Sequence, residues 1–183
     1  MKTLFGLLAP LILAAGCATP LSKISTQPLP ARELPVSKIE IDNFARDQAF
    51  ESGVYKSGWW PIPDKWLEPP FHEAFAARLR GTLKAAGKGP DLQLAVIDSG
   101  FYMETKAAED VPFVGLVTTF RERPYRCAVV LNIKTGGRSE RREFEHLQTA
   151  SRAYGDLEDK AGFINQCQAA LINKVAEYLS KAS

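Results

Sequence analysis

The sequence predicts an α+β domain of two layers: an antiparallel sheet of about four strands, with two helices packed on one face. Phe71, Phe75, Leu79 and Leu83 recur at four-residue steps, the apolar stripe of an amphipathic helix. Ile164, Cys167, Leu171, Val175 and Tyr178 form a second stripe near the end of the chain. Between the two, the stretch from Tyr125 to about Arg152 alternates around Gly136-Gly137 and reads as a hairpin. Such strands and helices bury all their apolar faces in one core.

The elements follow in order. From Ala18 to Pro35 the chain carries Pro20, Pro28, Pro30 and Pro35 among small polar residues, with no apolar period. It reads as a tether, able to reach ~50 Å in a polyproline-like conformation. Val36 to Phe44 alternates imperfectly through Val36, Ile39 and Ile41 and predicts a first strand. Asp47 to Pro70 is a long connection rich in glycine, proline and aromatics. Pro69-Pro70 then opens the first helix, which Gly87, Gly89 and Pro90 close. Leu92, Leu94 and Val96 alternate in a strand running towards Tyr102. Val111 to Phe120 is apolar and fits either a strand or an inserted loop.

The hairpin is the most specific local signal. Glycines at 136 and 137 allow the positive φ angles of a two-residue turn. That register pairs Val129 with Phe144 and Cys127 with His146 on one face. Asn132, Arg141, Glu143 and Glu145 then fall on the other. Beyond Leu147 the alternation slips, as at a bulge. Asp156 or Asp159 is placed to cap the last helix, which runs to about Lys181.

The first residues concern address rather than fold. Lys2 precedes an apolar run from Leu4 to Ala15, too short to span a bilayer and typical of a secretory signal. It ends in Leu13-Ala14-Ala15-Gly16-Cys17, which resembles the lipobox of bacterial lipoproteins, with Ala14 where leucine is commoner. The resemblance implies cleavage after Gly16 and a diacylglycerol on Cys17, joined by an acyl group on the new amine. Ala18 in place of aspartate resembles the outer-membrane sorting pattern of enteric bacteria. The expected organisation is therefore a signal peptide over 1–16, a lipidated cysteine and tether over 17–35, and one periplasmic domain over 36–183. Cleavage leaves 167 residues, enough for one core, and the net charge of +2 falls to +1 with the loss of Lys2. So small a charge offers no whole-protein basis for nucleic-acid binding.

Phe71-His72-Glu73-Ala74-Phe75, with Gly87 and Pro90-Asp91-Leu92-Gln93-Leu94, resembles the YajG-like uncharacterised lipoproteins over most of residues 70–180. There too a lipobox and tether precede a helix, a strand, a hairpin and a C-terminal helix. Lipopolysaccharide-assembly and transport-auxiliary lipoproteins are similar in layout. The shared motifs are structural, and a shared fold does not confer a shared function.

For chemistry the sequence offers little. It contains no paired-histidine spacing, no Cys-x-x-Cys, no Gly-x-Ser-x-Gly and no phosphate-binding loop. No catalytic residue, metal site or cofactor is expected. His72 falls in the first turn of a helix and is expected at the surface. His146 faces Cys127, as a Cys–His dyad would; a strand histidine beside a core cysteine is the strongly preferred reading. Cys127 and Cys167 lie on faces meant to meet. A bond between them closes a loop worth about 4 kcal/mol in the chain-entropy model, while two buried free thiols are the alternative.

Trp59, Trp60 and Trp66, within a proline-stiffened loop, are the candidate interaction surface. Capping of the core is the competing role. Arg121, Arg123 and Arg126 precede the hairpin, and Lys134, Arg138, Arg141 and Arg142 surround its tip. They suit either phosphate headgroups or, with Glu140, Glu143 and Glu145 between them, a solvated hairpin. The expected function is a non-catalytic, membrane-anchored lipoprotein that binds envelope proteins or lipid and no nucleic acid. A lipid-handling accessory role is the alternative, and a periplasmic hydrolase a more distant one.

Overall fold

The alternation that begins at Leu92 runs on to Glu104, and this strand is the axis of the sheet. The computed structural model describes residues 21–46, 56–104, 122–151 and 157–182. Cys17, Arg121, Asp156 and the Val111–Phe120 segment lie outside them. In chain order the strands are β1 (Ser22–Lys23), β2 (Arg32–Leu34), β3 (Ile39–Asn43), β4 (Trp59–Pro61), β5 (Leu67–Glu68), β6 (Leu83–Ala85), β7 (Leu92–Glu104), β8 (Arg123–Thr135) and β9 (Arg138–Ala150). A 3₁₀ turn spans Asp64–Trp66, and the helices are α1 (Phe71–Thr82) and α2 (Lys160–Ala182).

The main sheet runs β3-β7-β8-β9. β3 pairs with Leu92–Val96 and β4 with Tyr102–Glu104, so both line the edge of β7 that β8 leaves open. The two-layer α+β architecture is as expected. Its sheet has five strands rather than about four, and it is mixed rather than antiparallel, because β3 runs parallel to β7. From the end of β3 the chain returns through β4, antiparallel to β7, and then α1 before β7 begins, so β3 and β7 run the same way.

The hairpin pairs Val129 with Phe144 and Cys127 with His146, and Gly136 and Gly137 turn it at φ of 54° and 78°. Its register continues unbroken to Ala150, so the bulge expected past Leu147 is absent. It occurs instead in β7, between Val96 and Asp98. There Ile97 is the extra residue, and the alternation resets so that Ser99, Phe101 and Met103 share the inner face with Leu92, Leu94 and Val96.

Both helices cover that inner face. Phe71, Phe75 and Leu79 of α1 and Ile164, Leu171 and Val175 of α2 are buried against it. The rings of Phe71, Phe101 and Tyr125 stack in sequence, with Phe163 edge-on to the last two. Cys127 and Cys167 are joined by a disulfide that ties β8 to α2, their Cα atoms 6.1 Å apart. Asp159 caps α2, accepting from the Gly162 amide at 2.6 Å. α1 stops at Thr82, short of the glycines expected to end it, because Leu83–Ala85 is drawn off into pairing with β2.

That pairing revises the N-terminal segment. Residues 21–35 are not a free tether but a strap laid along the two helices. Its first strand pairs with Leu67–Glu68 and its second with Leu83–Ala85. Between these, the Ser25 amide donates to Asn165 Oδ1 at 2.8 Å and the Leu29 amide to Thr82 Oγ1 at 2.9 Å. Gln27 O accepts from Arg78 Nε at 3.1 Å. Ile24 and Leu34 are buried in the core. Pro28 presses so close to α1 that a Cβ on Gly81 would lie 2.7 Å from its Cβ, which only glycine avoids. Prolines suit this path because the strap draws few of its hydrogen bonds from a ladder.

A packed strap behaves differently from a tether under mutation. Leu34→Ala is expected to cost about 2–5 kcal/mol by emptying a core position, and a chain trimmed to start at Val36 should unfold at lower denaturant still. Urea unfolding measures both. Midpoints unchanged from the parent would mean that the strap does not pack.

Candidate functional site

The inner face of the sheet is closed by helices, so the residues available for function collect on the outer face and at the two ends. On the outer face, the bulge at Ile97 and the alternation of β8 place Ile97, Tyr102, Ala128 and Val130 together, with Trp59 from β4 packed against them. Beside this apolar cluster lies Arg126, only 1% exposed. Its Nε donates to Glu145 Oε2 at 2.7 Å and its Nη2 to Glu143 Oε1, while the guanidinium carbon sits 5.5 Å from the Tyr102 ring centre. Lys56 reaches the same two carboxylates from beyond the start of β4, at 2.7 Å and 3.3 Å.

Two cations and two anions therefore neutralise one another across β8, β9 and the approach to β4. Hydrogen bonds from Lys56 and then Arg126 hold the Glu145 carboxyl below its usual range, and the bond to Glu145 holds the Lys56 ammonium above its own. Both shifts favour the charged forms of Glu145 and Lys56. The arrangement is a clamp across the sheet. The sequence placed Arg126 in a basic cluster and the glutamates at the hairpin, but the hairpin register already brings Arg126 diagonally beside Glu145.

The three tryptophans do not form one surface. The stretch expected to be a loop is largely ordered as β4, the 3₁₀ turn and β5, so successive side chains take opposite faces. Trp59 packs on the outer cluster and Trp66 against the main core. Trp60 stays 51% exposed at the end of the sheet.

The histidines are likewise dispersed. His72, expected at the surface, is buried: the 3₁₀ turn folds over the start of α1, and Asp64 Oδ1 accepts from the Phe71 amide at 3.1 Å. Its Nδ1 lies 3.7 Å from Asp64 Oδ2. His146 does face Cys127, but the sulfur is taken up in the disulfide, so no Cys–His dyad forms. Burial, and then nearby Lys174, push the His146 pKa down. Among the described residues no group of three or more His, Cys, Asp or Glu is placed to hold a metal.

At the hairpin end, a cavity of about 460 Å³ opens between α2 and the sheet, with Leu92, Ile133 and Leu179 in its lining. Tyr178 donates to Glu140 there and lies under the Arg142 guanidinium, 4.0 Å from ring centre to carbon. Part of the basic cluster at the tip is thus engaged within the protein.

No protein family and no curated protein matches the chain. Among solved structures it is similar to a minor lipoprotein from Acinetobacter baumannii, at 10% identity over 81% of this chain and 90% of that one, with a TM-score of 0.36. It is also similar to an uncharacterised protein at 11% identity, over 88% of this chain and 99% of that one, with a TM-score of 0.44.

The clamp is asymmetric, since Arg126 is buried whereas Glu143 and Glu145 are 36% and 42% exposed. Losing both carboxylates takes two charge-assisted hydrogen bonds from a buried cation, while losing the cation leaves two carboxylates that water can reach. Glu143→Gln with Glu145→Gln is thus expected to cost about 1.5–3 kcal/mol, and Arg126→Met less. The depressed Glu145 pKa adds stability that is full above the unfolded carboxylate pKa and is lost as pH falls through the folded one. The double variant should accordingly show a flatter acid limb. Denaturant melts at neutral and acid pH check both, and equal losses for the two variants would count against the clamp.

Proposed function

We infer that this chain is a lipid-anchored lipoprotein of the bacterial envelope, acting by binding and not by catalysis. The observation that carries the reading is Leu13-Ala14-Ala15-Gly16-Cys17, placed after a basic start and a short apolar run. Among the described residues no helix is long and apolar enough to cross a membrane. Several acyl chains on one cysteine, at about 0.8 kcal/mol per buried methylene, hold a domain stably.

Binding is supported by how the ionisable groups are used. Arg126, Glu143, Glu145 and Lys56 are spent on one another, and Cys127 on Cys167. The YajG-like resemblance fits the helix–strand–hairpin–helix order, and Ala18 favours the outer membrane with the domain in the periplasm. An envelope protein or lipid is the partner class. The lipid-handling alternative, a groove between Val111–Phe120 and the tryptophans, is weakened because Trp59 and Trp60 lie on opposite faces of β4.

Metabolic labelling with palmitate tests the anchor. The parent chain should take up label and sediment with membranes, and Cys17→Ser should lose both. Undiminished label in the variant would remove the lipoprotein assignment.

A further inference from the structure

The docked strap determines which end of the domain meets the membrane. The strap enters beside β5, at the end where α1 and α2 begin, and leaves at the hairpin end. Ser22 pairs with Leu67, the Ser25 amide reaches Asn165 near the start of α2, and Leu34 pairs with Ala85 after α1 has ended. The Ser37 amide then bonds Pro90 O, next to the hairpin turn. The order along the strap is thus the order along the domain, from one end to the other.

Leu21 is four residues from Cys17. Fully extended, four residues span at most about 14 Å. A tether free to residue 35 would have held the domain ~50 Å from its anchor. With residues 21–35 bound to the helices, that reach is gone. The sheet, by contrast, is long: the thirteen residues of β8 extend ~40 Å from the anchor end to the hairpin turn.

We propose that the end of the domain carrying Leu21, Lys23, Trp60 and Lys65 sits on the phospholipid headgroups of the membrane that holds the anchor, with the hairpin projecting away from it. This rests on lipidation at Cys17. The occupant of the surface is set by the leash, since a bilayer within about 14 Å of Leu21 leaves little room for anything else. The composition of the end suits it. Leu21 and Trp60 are two of the four large apolar side chains that the described residues expose, at 49% and 51%. Tryptophan is favoured at the headgroup level, where its ring is partly wet. Lys23 on the strap and Lys65 on the 3₁₀ turn are exposed at this end and can meet lipid phosphates, with exposed Glu68 opposite Lys23 in the β1–β5 pair. The basic hairpin tip cannot reach the same headgroups from ~40 Å away, so it faces the periplasm and whatever partner the protein binds there.

The test uses the full acylated chain in phosphatidylethanolamine–phosphatidylglycerol vesicles containing a lipid with a nitroxide on its headgroup. A fluorophore is attached through Lys65→Cys or, separately, through Arg138→Cys at the hairpin. The Lys65 probe should be quenched several-fold more strongly than the Arg138 probe. Inserting about fifty Gly/Ser residues after Ala18 should abolish the difference while leaving flotation with vesicles intact, because a flexible spacer of that length reaches about 40 Å, the length of the sheet. Flotation with equal quenching at both positions, or stronger quenching at the hairpin, would overturn the orientation and leave the anchor standing. A chain that takes up no palmitate and does not float would overturn the anchor, and the orientation with it.

Discussion

The packing of this domain turns on one buried cation. Arg78 of α1 is 5% exposed, and its acceptors are all neutral: Gln27 O on the strap, and Asn165 O and Gln168 Oε1 on α2, at 3.0–3.1 Å. Burying a guanidinium away from carboxylates is costly unless its donors are met. Burial lowers its pKa, yet arginine keeps its charge at any physiological pH. Each acceptor therefore matters, and they come from segments far apart in sequence. Gln168 Nε2 also donates to Phe71 O, and Asn165 Oδ1 accepts from Ser25. Strap, α1 and α2 are thus conditional on one another, and neither helix has its native surroundings without the strap.

The strand β8 is held from both sides by different means. On the inner face the disulfide fastens it to α2, and its ring stack with Phe101 and Phe163 lies against the helices. On the outer face Arg126 fastens it to β9, with Lys56 extending the clamp towards the β4 edge. The bulge in β7 makes this possible by turning Ile97 and Asp98 outwards together, so that an apolar cluster forms on a face that simple alternation would leave polar. One sheet therefore carries a large closed core and a small second one. Lengthwise it is polarised as well, with the strap's entry and Trp60 at one end and the basic hairpin at the other.

Legibility followed the range of the forces involved. The hairpin register could be read because a two-residue glycine turn and period-two alternation are local and mutually reinforcing. The same holds for the two helix stripes and for the capping role of Asp159. The strap was not legible. Ile24, Leu29 and Leu34 carry no strand or helix period, since they fill grooves whose spacing is set by α1 and α2 rather than by their own backbone. Proline-rich composition then reads as a linker, although proline equally suits an extended segment that draws its bonds from side chains and a few backbone groups. The direction of β3 was misjudged for a related reason: strand, helix, strand was visible in order, but the parallel pairing depends on where the crossover packs.

What the sequence by itself determined are the elements whose signals repeat within a few residues: two amphipathic helices, the hairpin with its register, the cysteines on facing surfaces, and the lipobox-like run at Cys17. Only the tertiary structure decided that residues 21–35 belong to the domain, that His72 is buried, that the tryptophans part to different faces, and that Arg126 is clamped by Glu143 and Glu145. The physical reason is common to all four. Each is an interaction between segments distant in sequence, and it stabilises the fold only once both surfaces exist, so neither segment carries a periodic pattern that announces it.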